Sequence, residues 1–191
     1  MAPPKFAHFV LQTGRREEMR DWYCALLDAH VVFEQGPLSF ITYDDEHHRI
    51  AFVAPPVPLE PKTPLSTGMH HVAYTFGDLD ELLDRYSELK AKGILPRVPV
   101  QHGVTTSLYY RDPDGNHVEL QVDNFADPEE ATRYMSDSEA FNANPVGVGF
   151  EPEKMIEARR AGTEIRELTT MAWAQSASPD LPDPMVALTG P

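Results

Sequence analysis

Apolar and polar positions along the chain fall into two successions with the same rhythm. Phe6 to Thr13 is a near-continuous run of strand-forming residues, in which alternation would put Phe6, His8 and Val10 on one face. Gly14 ends it. From Arg15 to Leu27 the apolar positions Met19, Trp22, Tyr23, Leu26 and Leu27 recur at spacings of three and four, which predicts an amphipathic helix. His30 to Glu34 and Leu38 to Tyr43 predict two short strands about Gly36-Pro37. His47 to Val53 predicts a fourth after the polar turn Asp44-Asp45-Glu46. The rhythm then repeats. Met69 to Phe76 reads as a strand, and Leu79 to Lys92 as a helix with Leu79, Leu82, Leu83, Tyr86 and Leu89 on one face, ended by Gly93. Leu95 to Val100 contains proline and is expected to be an edge or irregular strand. Thr105 to Tyr110 and His117 to Val122 are strands about the turn Asp112-Pro-Asp-Gly115. Both halves therefore read βαβββ, a duplicated unit.

The duplication sets the expected domain organisation. Residues 1–125 carry the two modules, at about 5–54 and 68–123, with a stiff proline-rich connector at 55–67. Residues 126–191 form a tail of different character. Helices are expected over Asp127 to Met135 and Glu151 to Ala161, with a loop from Asn142 to Gly149. Beyond about Gln175 the Pro/Ser/Asp composition predicts a poorly ordered end.

Composition narrows the function classes. The 191 residues are 41% hydrophobic and carry a net charge of -14, enough apolar surface for a core and too acidic for nucleic acid or an anionic membrane. No run reaches the roughly 20 apolar residues of a membrane span, and Met-Ala-Pro-Pro-Lys is no apolar leader, so a cytoplasmic protein is expected. The single cysteine, Cys24, lies in the apolar helix segment Trp22 to Leu27 and reads as core rather than nucleophile.

The chemistry-bearing residues sit at matching places in the repeat. His8 opens the first module, His71 the second, and Glu119 lies on the second module's last strand. A lone histidine on an apolar strand is more often a hydrogen-bonded core residue, and a strand glutamate between Val118 and Leu120 faces either solvent or a cation. Taken together, two histidines and one carboxylate from different strands are the raw material of an iron site with open positions. Alternation places His71 with the small Ala73 and Thr75, leaving room on that face, while His70 joins Val72 and Tyr74. Of His47 and His48, one faces a given side. His102 stands in a loop before Tyr109 and Tyr110, one of which shares Glu119's face.

These pieces carry a resemblance. Ala7 to Val10, His47-His48-Arg49, Met69 to His71, Ser107 to Tyr109 and the closing Asp112-Pro-Asp-Gly-Asn-His-Val-Glu-Leu segment resemble the vicinal oxygen chelate superfamily over about residues 5–123. Within it the likeness is to small extradiol ring-cleaving dioxygenases of the 2,3-dihydroxybiphenyl type. The resemblance implies an α+β fold, two βαβββ modules forming a cupped mixed sheet around a metal cleft. It implies His8, His71 and Glu119 as Fe(II) ligands. Three ligands on one face leave positions for both catechol hydroxyls and O2. His48 is implied beside the oxygen, donating a proton as the O–O bond cleaves. Tyr109 and His102 are implied to hydrogen-bond the substrate and assist its deprotonation. The partners implied are a catechol and O2, with assembly as a homo-oligomer and no nucleic acid or membrane. Rival expectations are a metal-dependent isomerase or epimerase of the same fold, which needs a further metal-facing carboxylate or glutamine near Ala51, and a non-catalytic small-molecule binder.

Overall fold

The computed structural model describes residues 2–63 and 66–189. Pro64 and Leu65 of the expected connector lie outside the described residues. The chain divides into two compact units, Met1–Thr63 with Asp112–Asn116, and Pro64–Arg111 with His117–Pro191. Each unit has its own mixed sheet, so the strands form two sheets. No helix among the described residues is long and apolar enough to cross a membrane.

In the first unit β1 (Phe9–Gln12), α1 (Arg16–Leu27), β2 (His30–Gln35), β3 (Leu38–Thr42) and β4 (Ile50–Val53) give the order β1-β4-β3-β2. The periodic face of α1 buries Met19, Tyr23 and Leu26, and the adjoining sheet strands bury Ile41, Ile50 and Phe52. Tyr23 and Phe52 meet with ring centroids 5.5 Å apart. Phe40 pairs across with Ala51, on the sheet face opposite to that of Ile41 and Ile50.

Two predicted strands begin later than their hydrophobic pattern suggests. His8 precedes β1, and His47 and His48 precede β4. Strand alternation therefore does not choose between the last two. The cause at β1 is Arg49, whose Nη1 donates to the carbonyls of Phe6 (2.6 Å) and Ala7 (3.0 Å). Those carbonyls are satisfied by a side chain instead of a neighbouring strand. Asp44 fixes the guanidinium with three bonds of 2.8 to 3.0 Å, a planar fork against a carboxylate. Asp112 organises its own turn and is buried. It accepts from the backbone N–H groups of Asp114 and Asn116, from the Asn116 side chain, and from Tyr23 Oη at 3.1 Å.

The second unit repeats the plan with β5 (His71–Thr75), α2 (Leu79–Ala91), β6 (Val98–Gln101), β7 (Thr105–Arg111) and β8 (His117–Asp123). Asp78 caps α2 by accepting from Glu81 N–H, and the helix buries Leu79, Leu82, Leu83, Tyr86 and Leu89. The tail adds α3 (Pro128–Asp137), α4 (Glu139–Ala143), β9 (Val148–Gly149), α5 (Pro152–Arg160), α6 (Ile165–Leu168), α7 (Met171–Ala177) and α8 (Pro184–Thr189).

Here the structure departs from three sequence expectations. β6 is not an edge strand: the sheet runs β5-β8-β7-β6-β9, and β9 forms inside the segment expected to be loop. Pro99 is tolerated because β9 pairs with Val100 and Gln101 beyond it, while the Pro99 carbonyl accepts from Phe150 N–H. Beyond Gln175, where composition predicts a poorly ordered end, the described residues include the last turn of α7 and the whole of α8. Asp183 accepts from Met185 N–H to start α8, and Leu188 is buried with Val98, Val100 and Tyr109. A six-residue apolar helix that buries only Pro184 and Leu188 is too short a pattern to register in composition.

Replacing Asp112 by Ala is expected to cost about 2–4 kcal/mol, since several donors lose their acceptor in a buried turn. Tyr23→Phe should cost about 1 kcal/mol. Urea unfolding of the two variants measures both. Arg49 holds the Asp44 carboxyl down at about 2, chiefly through their hydrogen bonds, against an ordinary value of 3.8. A carboxyl depressed by folding contributes stability that is complete above its unfolded value and fades as pH falls through its folded one. Asp44→Asn should therefore be less stable than the parent at pH 6, with the gap closing between pH 4 and pH 2 in thermal melts.

Candidate functional site

Parallel pairing of β5 with β8 sets His71 opposite His117, Ala73 opposite Glu119 and Thr75 opposite Gln121. Antiparallel pairing of β7 with β8 sets Tyr109 opposite Glu119 and Tyr110 opposite Val118. Facing residues on paired strands share a sheet face, so Tyr109 joins Glu119, and Tyr110 turns to the other side. The sequence leaves open which tyrosine this is. The register decides it, because the turn at 112–116 starts after Arg111 and ends before His117.

Glu119 is only 4% exposed. Its Oε2 lies 3.1 Å from His71 Nε2. Burial acts to raise its pKa, but hydrogen bonds from His71, Ser107 and Tyr109, with the charge of His71, outweigh burial and hold the carboxyl below its ordinary range. Tyr109 presents its ring edge to His71, with centroids 5.3 Å apart. Burial, then the charge of Glu119 and the hydrogen bond to it, push the Tyr109 hydroxyl well above its usual value. His102 reaches the same tyrosine, with Nε2 3.1 Å from Tyr109 Oη. Burial lowers the His102 pKa, opposed by Glu119 and by a hydrogen bond to the Val146 backbone. The second unit thus brings four of the six sequence-selected residues into one contiguous set.

The other two, His8 and His48, lie together in the first unit, with rings 4.3 Å apart. His48 stacks on Phe40 at 4.8 Å and an interplanar angle of 18°, and its Nδ1 is 2.6 Å from His47 Nδ1. Burial first, then His8 and His47, lower its pKa. β1–β4 pairing sets Val10 opposite Ala51, as Ala73 stands opposite Glu119 in the second unit. The same comparison matches Phe40 with Tyr109, since each faces that position from the next strand. Ala51 therefore occupies the place that an isomerase would fill with a carboxylate or glutamine. Cys24 is half-buried and its thiol is pushed up, mainly by burial, which disfavours a thiolate.

Sequence reasoning missed the supporting residues. Arg49 holds the carbonyls on the approach to His8, and Ser107, paired with Gln121, adds a hydroxyl to Glu119. A buried serine mid-strand gives no periodic signal. Arginine beside two histidines in the segment before β4 is a faint one.

The donor pair fits a divalent metal ion. Two ligands at right angles around an ion with bonds of about 2.1 Å stand about 3 Å apart, the separation of His71 Nε2 and Glu119 Oε2. A buried carboxylate with nitrogen and hydroxyl neighbours is the donor chemistry that such an ion takes. Among the described residues of each unit, no set of three or more His, Cys, Asp or Glu side chains is gathered to hold a metal by itself.

Comparison with known proteins agrees with this plan. Residues 5–120 match the glyoxalase family, described as the Glyoxalase/Bleomycin resistance protein/Dioxygenase superfamily. The chain is 62% identical over 188 residues to biphenyl-2,3-diol 1,2-dioxygenase 2 of Rhodococcus globerulus, covering 98% of both chains. It is 54% identical over 172 residues to biphenyl-2,3-diol 1,2-dioxygenase 3 of that organism, covering 90% of both. Among solved structures, lactoylglutathione lyase from Agrobacterium tumefaciens superposes with a TM-score of 0.51 at 18% identity, over 64% of this chain and 96% of its own. A fosfomycin resistance protein from Listeria monocytogenes gives 0.51 at 16%, over 68% and 99%. Those two likenesses show the fold. The duplicated βαβββ plan, the closing carboxylate strand and the near full-length match to the biphenyldiol dioxygenases together place the chain in the glyoxalase/bleomycin resistance protein/dioxygenase superfamily.

Proposed function

We propose that this chain is an Fe(II)-dependent extradiol dioxygenase that opens the ring of 2,3-dihydroxybiphenyl or a related catechol. Both atoms of O2 enter the ring-opened hydroxy-dienoic product. The observation that carries the reading is the contiguous set Glu119, His71, Tyr109 and His102, with Glu119 and Tyr109 buried, found in a chain with near full-length likeness to enzymes named for that reaction. His8, His71 and Glu119 are proposed as the ligands. Bound iron would supply Lewis acidity toward the catechol hydroxyls and a redox centre at which catechol and O2 combine.

The protein's own groups handle the protons. Tyr109 remains protonated at neutral pH because burial disfavours its phenolate. It carries one proton and meets two acceptors, Glu119 and the His102 ring. A catechol hydroxyl beside Tyr109 Oη can pass its proton to that oxygen while Tyr109 passes its own to His102 Nε2. The substrate O–H breaks, the Nε2–H forms, and Tyr109 ends unchanged. His48, whose pKa burial first and then His8 and His47 lower, is the first unit's proposed proton donor through a ring N–H. An isomerase reading lacks its extra ligand at Ala51, and a passive binder has no use for the Tyr109–His102 pair.

Protein loaded with iron under anaerobic conditions and mixed with 2,3-dihydroxybiphenyl should turn yellow once air is admitted. Absence of a ring-opened product with every catechol tried, from protein shown to hold iron, would refute the reading. Glu119→Ala should lower iron affinity at least about 100-fold while circular dichroism stays unchanged. Tyr109→Phe should keep its iron and lose about 10²–10³ in kcat.

A further inference from the structure

His102 is presented to Tyr109 by a loop, and its backbone is held from several sides. His102 N–H donates to Thr105 O, Gly103 N–H donates to Gln101 Oε1, and Asn124 Nδ2 donates to both Gln101 Oε1 and Gly103 O. None of these fixes the ring. An imidazole can turn about its side-chain bonds and carry its proton on either nitrogen, and only one tautomer leaves Nε2 free to accept.

The tail supplies what the loop lacks. Asn144-Pro145-Val146-Gly147 is a turn in which the Asn144 carbonyl accepts from Gly147 N–H at 3.2 Å. The Asn144 side chain braces it twice: Oδ1 accepts from Gly147 N–H at 3.1 Å, and Nδ2 donates to Gly147 O at 2.8 Å. Gly147 has φ +90°, and a Cβ there would stand 2.2 Å from Gln101 O and 2.8 Å from His102 Cα. Only glycine allows the turn this close to the catalytic loop. β9 follows at once and pairs Val148 with Gln101, which holds the turn in register with the His102 segment. The Val146 backbone hydrogen-bonds the His102 ring. Since Nε2 faces Tyr109, Nδ1 is the nitrogen left for the Val146 carbonyl.

We propose that the Asn144–Gly147 turn is a positioning element that locks His102 with its proton on Nδ1 and its Nε2 lone pair aimed at Tyr109 Oη. Asn144 acts through the Val146 carbonyl and touches neither substrate nor metal. The lock has the logic of a catalytic histidine oriented by an acceptor on its far nitrogen, with a backbone carbonyl in place of a carboxylate. The consequence for rate rests on the ring-cleavage reading; the tautomer itself does not.

Nitrogen-15 NMR of the full chain labelled at histidine, in its metal-free or zinc-loaded form, reads the tautomer directly. The His102 signals are assigned by their loss in His102→Asn. The parent should show one Nδ1-protonated tautomer. Asn144→Ala, which adds no atom, should move His102 toward an averaged mixture and lower kcat about tenfold, with KM for 2,3-dihydroxybiphenyl within about twofold. Asn144→Asp keeps the acceptor for Gly147 N–H, loses the donor to Gly147 O, and should fall between. Gly147→Ala should behave like Asn144→Ala or more severely. A parent with the proton on Nε2, or an Asn144→Ala protein whose His102 signals are unchanged, overturns the proposal. A parent with the Nδ1–H signature but no activity on any catechol supports the lock and refutes the ring-cleavage reading.

Discussion

A carboxylate in the middle of a sheet is the constraint on which the second unit turns. Taking an ionised glutamate out of water costs several kcal/mol unless partners compensate it. Glu119 meets that cost with an imidazole from one neighbouring strand and hydroxyls from the other. This requires a parallel partner on one side and an antiparallel partner on the other, in one register each. β5 can lie parallel to β8 only because α2 and the next two strands intervene between them in sequence. The helix on one face and the polar set on the other are thus two outcomes of the same topology.

The two units show how little of that topology is committed to chemistry. At corresponding register the first has Ala51 and Phe40 where the second has Glu119 and Tyr109. The scaffold is repeated, while the polar set is present in one copy only, through differences that include these two positions on adjacent strands. Function here belongs to sites grafted on a fold, not to the fold.

Periodicity revealed the repeat, both principal helices and the face of His71, because each rests on a local pattern. It did not separate Tyr109 from Tyr110, since that depends on how one strand registers with another. It also placed His8 and His47-His48 on strands, when Arg49 and Asp44 supply side-chain bonds that end the ladders early. Relations between distant residues leave no periodic trace. The tail is the clearest instance: two residues of β9 and one leucine of α8 complete the β6 side of the sheet, and nothing in their neighbourhood announces it.

The order of synthesis gives that last arrangement a temporal meaning. β6 emerges long before β9 and α8, yet they are what cover it, through the pairing at Val100 and Gln101 and the packing of Leu188 on Val98 and Tyr109. During translation the first unit's β1 to β4 can pair as soon as they leave the ribosome, whereas the second holds an open β6 margin until β9 and α8 have been made. β9 and α8 therefore act as a latch on folding: the sheet beside the His102 loop is finished only when they arrive.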